Sequence, residues 1–279
     1  MTTSTSLPDA GAPAVTVAAA RRESPWRRWR TPLAVGVWLL VWQGAAVAVG
    51  RDVLLVGPMD VLVRLGEIAP TADFWATVAH TSLRVGGGFA LGVVAGTLLA
   101  VAAAAAPLVD ALTAPLLGAV RSTPVVSFII LVLLWADSGR LALVVSALMV
   151  LPVVQLNVLA GIRARDGALL EVARVFRVPA LRRVRAVDLP AVAPFLVAAC
   201  RIGVGLAWRS GVAAEVIGLP DGSIGERLYD AKLFLSTADV LAWTLVVVLL
   251  GMACERLVVV LARRVPGGAP SAGAPPGRR

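Results

Sequence analysis

Apolar residues in this chain fall in long unbroken runs, not in the short periodic stripes of a water-soluble fold. Runs at residues 31–49, 85–106 and 141–162 carry no charge at all. Three more, at 112–135, 191–217 and 240–262, are interrupted only by single ionisable residues: Arg121; Arg201, Arg209 and Glu215; and Glu255 with Arg256. Each clean run reaches the roughly 20 residues that a helix needs to cross a bilayer. The pattern predicts an all-α polytopic membrane protein with about six transmembrane helices.

Polar stretches divide the rest. Residues 1–30 read as a disordered basic tail, and 263–279 (Val-Pro-Gly-Gly-Ala-Pro and on) as a Pro/Gly-rich tail with no folding signal. Residues 31–75 would hold the first span and its loop, and 76–262 the remaining helices. The longest polar interruption of the second half, 163–190, is arginine-rich. Arginine bias orients the chain, because loops on the cytoplasmic side are enriched in basic residues. With the N-terminus inside, 16 arginines flank or connect the spans on the cytoplasmic side, against four arginines and Lys232 outside. Both termini are thus expected in the cytoplasm.

Composition agrees with this reading. The chain of 279 residues is 58% hydrophobic and only 15% charged, with a mean hydropathy of +0.85. The net charge of +9 does not point to nucleic acid, since the arginines sit at membrane flanks and in one loop. Cys200 and Cys254 both lie within apolar runs and read as small buried hydrophobes. Lys232 follows Ala231, so no Gly-Lys-Ser/Thr phosphate loop exists. The single histidine, His80, reads as a border residue of the second span. No cofactor, metal site or catalytic constellation is expected.

Three groups of residues remain. Gly88, Gly92 and Gly96 share one helix face and allow close helix packing. Pro152 should kink the fourth span, with Gln155 and Asn157 needing partners beyond it. In the fifth span Arg201, Trp208 and Glu215 are seven apart on one face, with Arg209 beside it. Ionisable groups in a span face the protein interior or a wet cavity. Trp208, Arg209, Glu215 and Asn157 are therefore candidate translocation-path residues, with Arg209 favouring an anion. The alternative is structural: Arg201 reaches for the interface and Arg209 pairs with Glu215.

The loop carries the most specific pattern. Asp166 can cap a short helix over 168–176 whose apolar edge is Leu169, Leu170, Ala173 and Phe176; Val178-Pro179 ends it. A second short helix is expected over 180–187, with Leu189-Pro190 starting the fifth span. Glu171-Val172-Ala173, three residues, Arg177, nine residues, then Val187-Asp188-Leu189-Pro190 resembles the docking loop of the membrane subunits of bacterial ATP-driven importers, which reads Glu-Ala-Ala, three residues, Gly, nine residues, Ile-x-Leu-Pro. Arg177 stands where that family has Gly, so the turn is expected to be made instead at Val178-Pro179. Short stretches across residues 55–262 extend the resemblance, among them Pro58-Met59-Asp60-Val61, Gly205-Leu206-Ala207-Trp208 and Val212-Ala213-Ala214-Glu215. The branch it is most similar to serves taurine, alkanesulfonate and nitrate uptake.

The resemblance implies a type I importer permease of the ATP-binding-cassette class in a bacterial inner membrane, itself without catalytic activity. It implies two separate ATPase subunits docking at cytoplasmic coupling helices around Glu171, Ala173, Arg174, Arg177, Leu189 and Pro190. An extracytoplasmic solute-binding protein and a second permease copy, as a homodimer, would complete the assembly, with membrane lipid around it. A basic loop that only fixes topology, and an ion-gradient-driven transporter or channel, are the competing readings.

Overall fold

The computed structural model describes residues 26–51 and 53–262, the stretch 26–31 by its backbone alone. The expected tails lie outside the described residues, except that the first helix already begins at Trp26. The described chain is helical: α1 (Trp26–Val49), α2 (Pro58–Ile68), α3 (Ala72–Ala105), α4 (Pro107–Ser122), α5 (Val125–Leu133), α6 (Ser138–Arg163), α7 (Gly167–Val175), α8 (Ala180–Arg183), α9 (Leu189–Gly218), α10 (Ile224–Leu233) and α11 (Thr237–Ala262). Five helices are long and apolar enough to cross a membrane, and the bent pair α4–α5, counted as one broken span, makes six.

The centre is a layer of α3, α6 and α9, with α6 in the middle. Gly88, Gly92 and Gly96 bring the α3 backbone onto α6. A Cβ at Gly92 would sit 2.8 Å from both the Ala147 carbonyl oxygen and Val150 Cβ; at Gly96 it would sit 2.7 Å from the Leu151 oxygen. Such contact without bulky side chains is what small-residue faces provide in lipid, where apolar burial alone does not hold helices together. On its other side α6 meets α9, where Ser146 Oγ donates to the Ala207 carbonyl at 3.0 Å. Val150, Val154, Val158, Ala199 and Ala207 are buried in this seam.

Two expectations change. The third span is not one helix over 112–135. It breaks at Thr123-Pro124, and α4 and α5 meet at 104°. Proline lacks the N–H and drives the preceding residue to extended backbone; Thr123 has ψ 134° and its hydroxyl, with that of Ser122, bonds back to the Ala119 carbonyl. The second span starts at Ala72, well before 85, with Phe74, Thr77, Val78 and Thr81 of its more polar first third buried against the bundle. Pro152 sits inside α6 without ending it.

The loop after α6 forms α7, then α8, then a π-helical turn (Val184–Asp188) that runs directly into α9. Leu189-Pro190 is therefore no helix start: the chain is helical from Ala180 to Gly218. In the π turn the Leu189 N–H reaches the carbonyl of Val184. Widening the turn lets the helix absorb Pro190, which has no N–H to offer.

The end of α7 places the turn where the importer loops have their glycine. Arg177 itself is left-handed, with φ 47°. Its N–H bonds to the Arg174 carbonyl at 3.1 Å and the Val178 N–H to the Ala173 carbonyl at 2.9 Å, the two bonds of a Schellman end. The turn was expected at Val178-Pro179 instead. Leu235 ends α10 in the same way, with φ 55°.

Two outcomes are expected. Gly92→Ala forces a methyl into the α3–α6 contact and lowers unfolding stability in detergent by about 1–3 kcal/mol; Gly86→Ala, where a Cβ meets nothing within 4 Å, does not. Arg177→Gly removes a left-handed non-glycine residue and stabilises the end of α7 by about 1 kcal/mol, read as slower amide hydrogen exchange at position 177 and at Val178.

Candidate functional site

Ion pairs tie the α7–α8 hairpin to the end of α6. Asp166 caps α7, its Oδ1 accepting from the Ala168 N–H at 2.8 Å. Arg165, at the end of α6, donates from Nε to the Ile162 carbonyl at 2.7 Å and from Nη1 to Asp188 Oδ1 at 2.6 Å. Arg183 approaches the other Asp188 oxygen at 3.4 Å. Asp188 thus ties the return of the hairpin to its departure point.

This lock orients the helix faces. Ala173 is buried and Leu170 half-buried toward the bundle, and they line a small cleft with Arg165, Arg174, Arg177 and Arg183. Glu171, Val172, Val175 and Phe176 face outward, with Val175 and Phe176 72% and 76% exposed. The expected apolar edge therefore splits: Ala173 and Leu170 turn inward, while Leu169 and Phe176 stand free. Leu189 and Pro190 are exposed, beyond the π turn in α9. Glu171, Arg174 and Arg177 are all exposed, Glu171 on the outer side and the two arginines as a crest along the rim of the cleft.

The path candidates separate. Arg209 is exposed on α9. Trp208 is buried against α11, its indole Nε1 lying 3.0 Å from where a Cβ on Gly251 would be. Asn157 is half-buried and donates from Nδ2 to the Val153 carbonyl of its own helix. Glu215 is fully buried. Its Oε2 accepts from Thr81 Oγ1 at 2.8 Å and from the Gly225 N–H at 3.4 Å, and Arg84 Nη1 lies 3.8 Å from Oε1. Thr81 Oγ1 in turn accepts from the Ile224 N–H at 3.0 Å. Arg209 does not pair with Glu215; the carboxylate is spent on α3 and on the first turn of α10, where its charge meets unpaired N–H groups.

Sequence reasoning missed Asp188, Thr81, Arg84 and α10. The variable position of the docking motif gave no reason to weigh Asp188, although an acid between arginine clusters was a signal. For α10 the signal was local: Ser223 Oγ accepts from the Glu226 N–H, and Glu226 reaches back to the Gly222 N–H at 2.6 Å, a near relative of the Ser-x-x-Glu capping box.

Comparison with known proteins places these features. Residues 92–266 match the family described as "Binding-protein-dependent transport system inner membrane component". The chain is 26% identical to the putative aliphatic sulfonates transport permease of Bacillus subtilis, over 93% of this chain and 94% of that one. It is 30% identical to the protein of the same description from Escherichia coli, over 86% and 93%, and 26% identical to the nitrate import permease of Synechococcus elongatus, over 82% and 86%. Among solved structures, an amino acid ABC transporter superposes with a TM-score of 0.58 at 16% identity, covering 72% of this chain and 97% of that chain. An all-helical multi-pass bundle with this hairpin between its fourth and fifth spans, matched by the family over most of its length, belongs to the binding-protein-dependent transport system inner membrane components, the permease subunits of ABC importers.

Proposed function

We propose that the chain forms the translocation path of an importer for a small anionic solute and takes its driving force from separate ATPase subunits at the α7–α8 hairpin. The observation that carries this is the exposed, locked hairpin, on which Glu171, Val172, Val175 and Phe176 face outward and the crest of Arg174 and Arg177 rims the cleft. An exposed apolar and charged helix face, held rigid by Arg165–Asp188, suits insertion into a groove on a partner. The arginines of this loop put it in the cytoplasm, with both termini on the same side. Two copies of the chain would enclose the pore, and an extracytoplasmic binding protein would deliver the solute.

Within the span layer Arg209 supports the anion preference. It is an exposed cation inside the apolar run of α9, two turns on from Arg201, and the Glu215 carboxylate is already occupied by Thr81 and α10. A charge at that depth needs water or a solute beside it. Relatives named for sulfonates and nitrate support a sulfonate-, taurine- or nitrate-like cargo. Trp208 and Glu215 hold α9 to its neighbours, and Asn157 sits half-buried on α6.

ATP drives the cycle in this reading by moving the ATPase pair, and the hairpin passes the motion to α9 as a rigid element. Substrate uptake that persists without ATP would instead support an ion-coupled transporter.

Two measurements check the proposal. Purification in mild detergent from native membranes should bring an ATPase subunit with the wild-type chain and lose it with Glu171→Arg; a chain that purifies alone while folded in both cases overturns the docking assignment. Arg209→Gln should leave that co-purification intact and lower uptake about tenfold, the effect of losing one charge-assisted contact of about 1.4 kcal/mol. Unchanged uptake removes Arg209 from the path.

A further inference from the structure

Toward the hairpin end, α9 and α11 part around a groove of about 730 Å³. Its walls include Ile202, Met252 and Val259, and three ionisable side chains face it: Arg201 from α9, Glu255 and Arg256 from α11. Away from the hairpin the groove is shut by helix contact. Trp208 lies on Gly251, and Glu255 Oε1 comes within 3.0 Å of where a Cβ on Gly205 would be. No ion pair joins Arg201, Glu255 and Arg256 to one another.

Depth makes this arrangement informative. Arg201 is twelve residues into α9, about 18 Å from Leu189 along the axis, inside the apolar run 191–217. A guanidinium there cannot face lipid tails without water or an anion beside it. Arg256 lies six residues before Ala262, about 9 Å from the end of α11. Trp208 against Gly251 and Gly205 against Glu255 set the register of the two helices, which brings Arg256 within about a turn of Arg201, so the groove presents both cations at nearly one level with Ile202, Met252 and Val259 beside them.

We infer that this groove is a second station on the solute path, binding a small organic monoanion whose oxyanion head is taken by Arg201 and Arg256 and whose short apolar stem lies along Ile202, Met252 and Val259. Glu255 shapes the choice: its carboxylate leaves the groove with one net positive charge and opposes a dianion. The station is distinct from Arg209, which follows Arg201 by eight residues and does not line the groove. The inference rests on the permease reading for its solute, but a phospholipid offers the same chemistry, an oxyanion head on an apolar stem.

The test reads occupancy, not uptake. The full-length chain with Cys200→Ala, Cys254→Ala and Met252→Cys is placed, with its co-purifying subunits, in phosphatidylcholine nanodiscs and treated with iodoacetamide, which alkylates the thiolate that forms only in water. The expected result is steady alkylation that butanesulfonate, at twice its Kd, slows about threefold by mass action, while sulfate slows it less. Adding Arg201→Gln and Arg256→Gln abolishes the protection in a variant that still elutes as a monodisperse species. Protection must also persist in Arg209→Gln, so failure of the Arg209 assignment does not decide this one. Three results overturn the inference. Slowing by phosphatidylglycerol without any effect of butanesulfonate assigns the cations to lipid headgroups. An unreactive Met252→Cys means that lipid tails or a second copy fill the groove. Alkylation indifferent to every anion means that the groove is wet but holds none.

Discussion

Everything in this bundle is built on the approach of two backbones. At Gly88, Gly92 and Gly96 the α3 chain lies against the Leu143, Ala147 and Leu151 carbonyls of α6, too close for any side chain. Because lipid tails are as apolar as leucine, helices in a membrane gain little by hiding apolar surface from them; dispersion at short range and hydrogen bonds must do the work. The three glycines turn one helix face into a groove that α6 fills. With α6 held there, its opposite face positions α9, where Gly203 and Gly211 again allow Val150 and Ser146 close approach. The functional helix is thus located at second hand, through contacts that contain no functional residue.

α9 then joins two polar locks that lie at opposite ends of the bundle. At one end Asp188 is held by Arg165 and Arg183; at the other Glu215 is held by Thr81 and the first turn of α10. Between them the helix is continuous through the π turn. The buried Glu215 carboxylate accepts through Oε2 alone, from Thr81 and Gly225, while Oε1 faces Arg84 at 3.8 Å without a hydrogen bond, so removing Thr81 would leave a buried charge poorly compensated. The arrangement gives the proposed coupling a mechanical form. In the proposed coupling, displacement of α8 passes into α9 without a break in the helix, so the helix moves as one piece or the Asp188 lock opens.

The reach of sequence reasoning follows from what hydropathy measures. It sees each residue's preference for lipid, so α1, α6 and α11 were legible almost to their ends: runs at 31–49, 141–162 and 240–262 match Trp26–Val49, Ser138–Arg163 and Thr237–Ala262. It does not see partners. The first third of α3 reads as too polar to enter the span because Thr77, Thr81 and Arg84 are scored as if solvated, whereas Thr77 and Thr81 are buried. The break in the third span was written in Ser122-Thr123-Pro124, yet its size, 104°, depends on how α5 packs on Leu141 and Ala214. For the site, motif spacing located the hairpin correctly but could not say which of its apolar residues face out, since that depends on Asp188, a position the motif leaves free.

Arg177 shows how far a motif's physics can differ from its letters. The left-handed residue that ends α7 is present with the hydrogen bonds a glycine would make; only the glycine is missing. Forcing an arginine into that conformation costs about 1–2 kcal/mol, so the geometry must be imposed by its surroundings. Those surroundings are visible: the buried Ala173, the Arg165–Asp188 pair that closes the hairpin, and Pro179, which forbids α7 from simply continuing. The exchange adds a cation to the exposed crest, beside Arg174. Under the proposed docking, a partner groove that receives this crest meets one more cation than a glycine-bearing hairpin would present, so a counter-charge in that groove would distinguish the two.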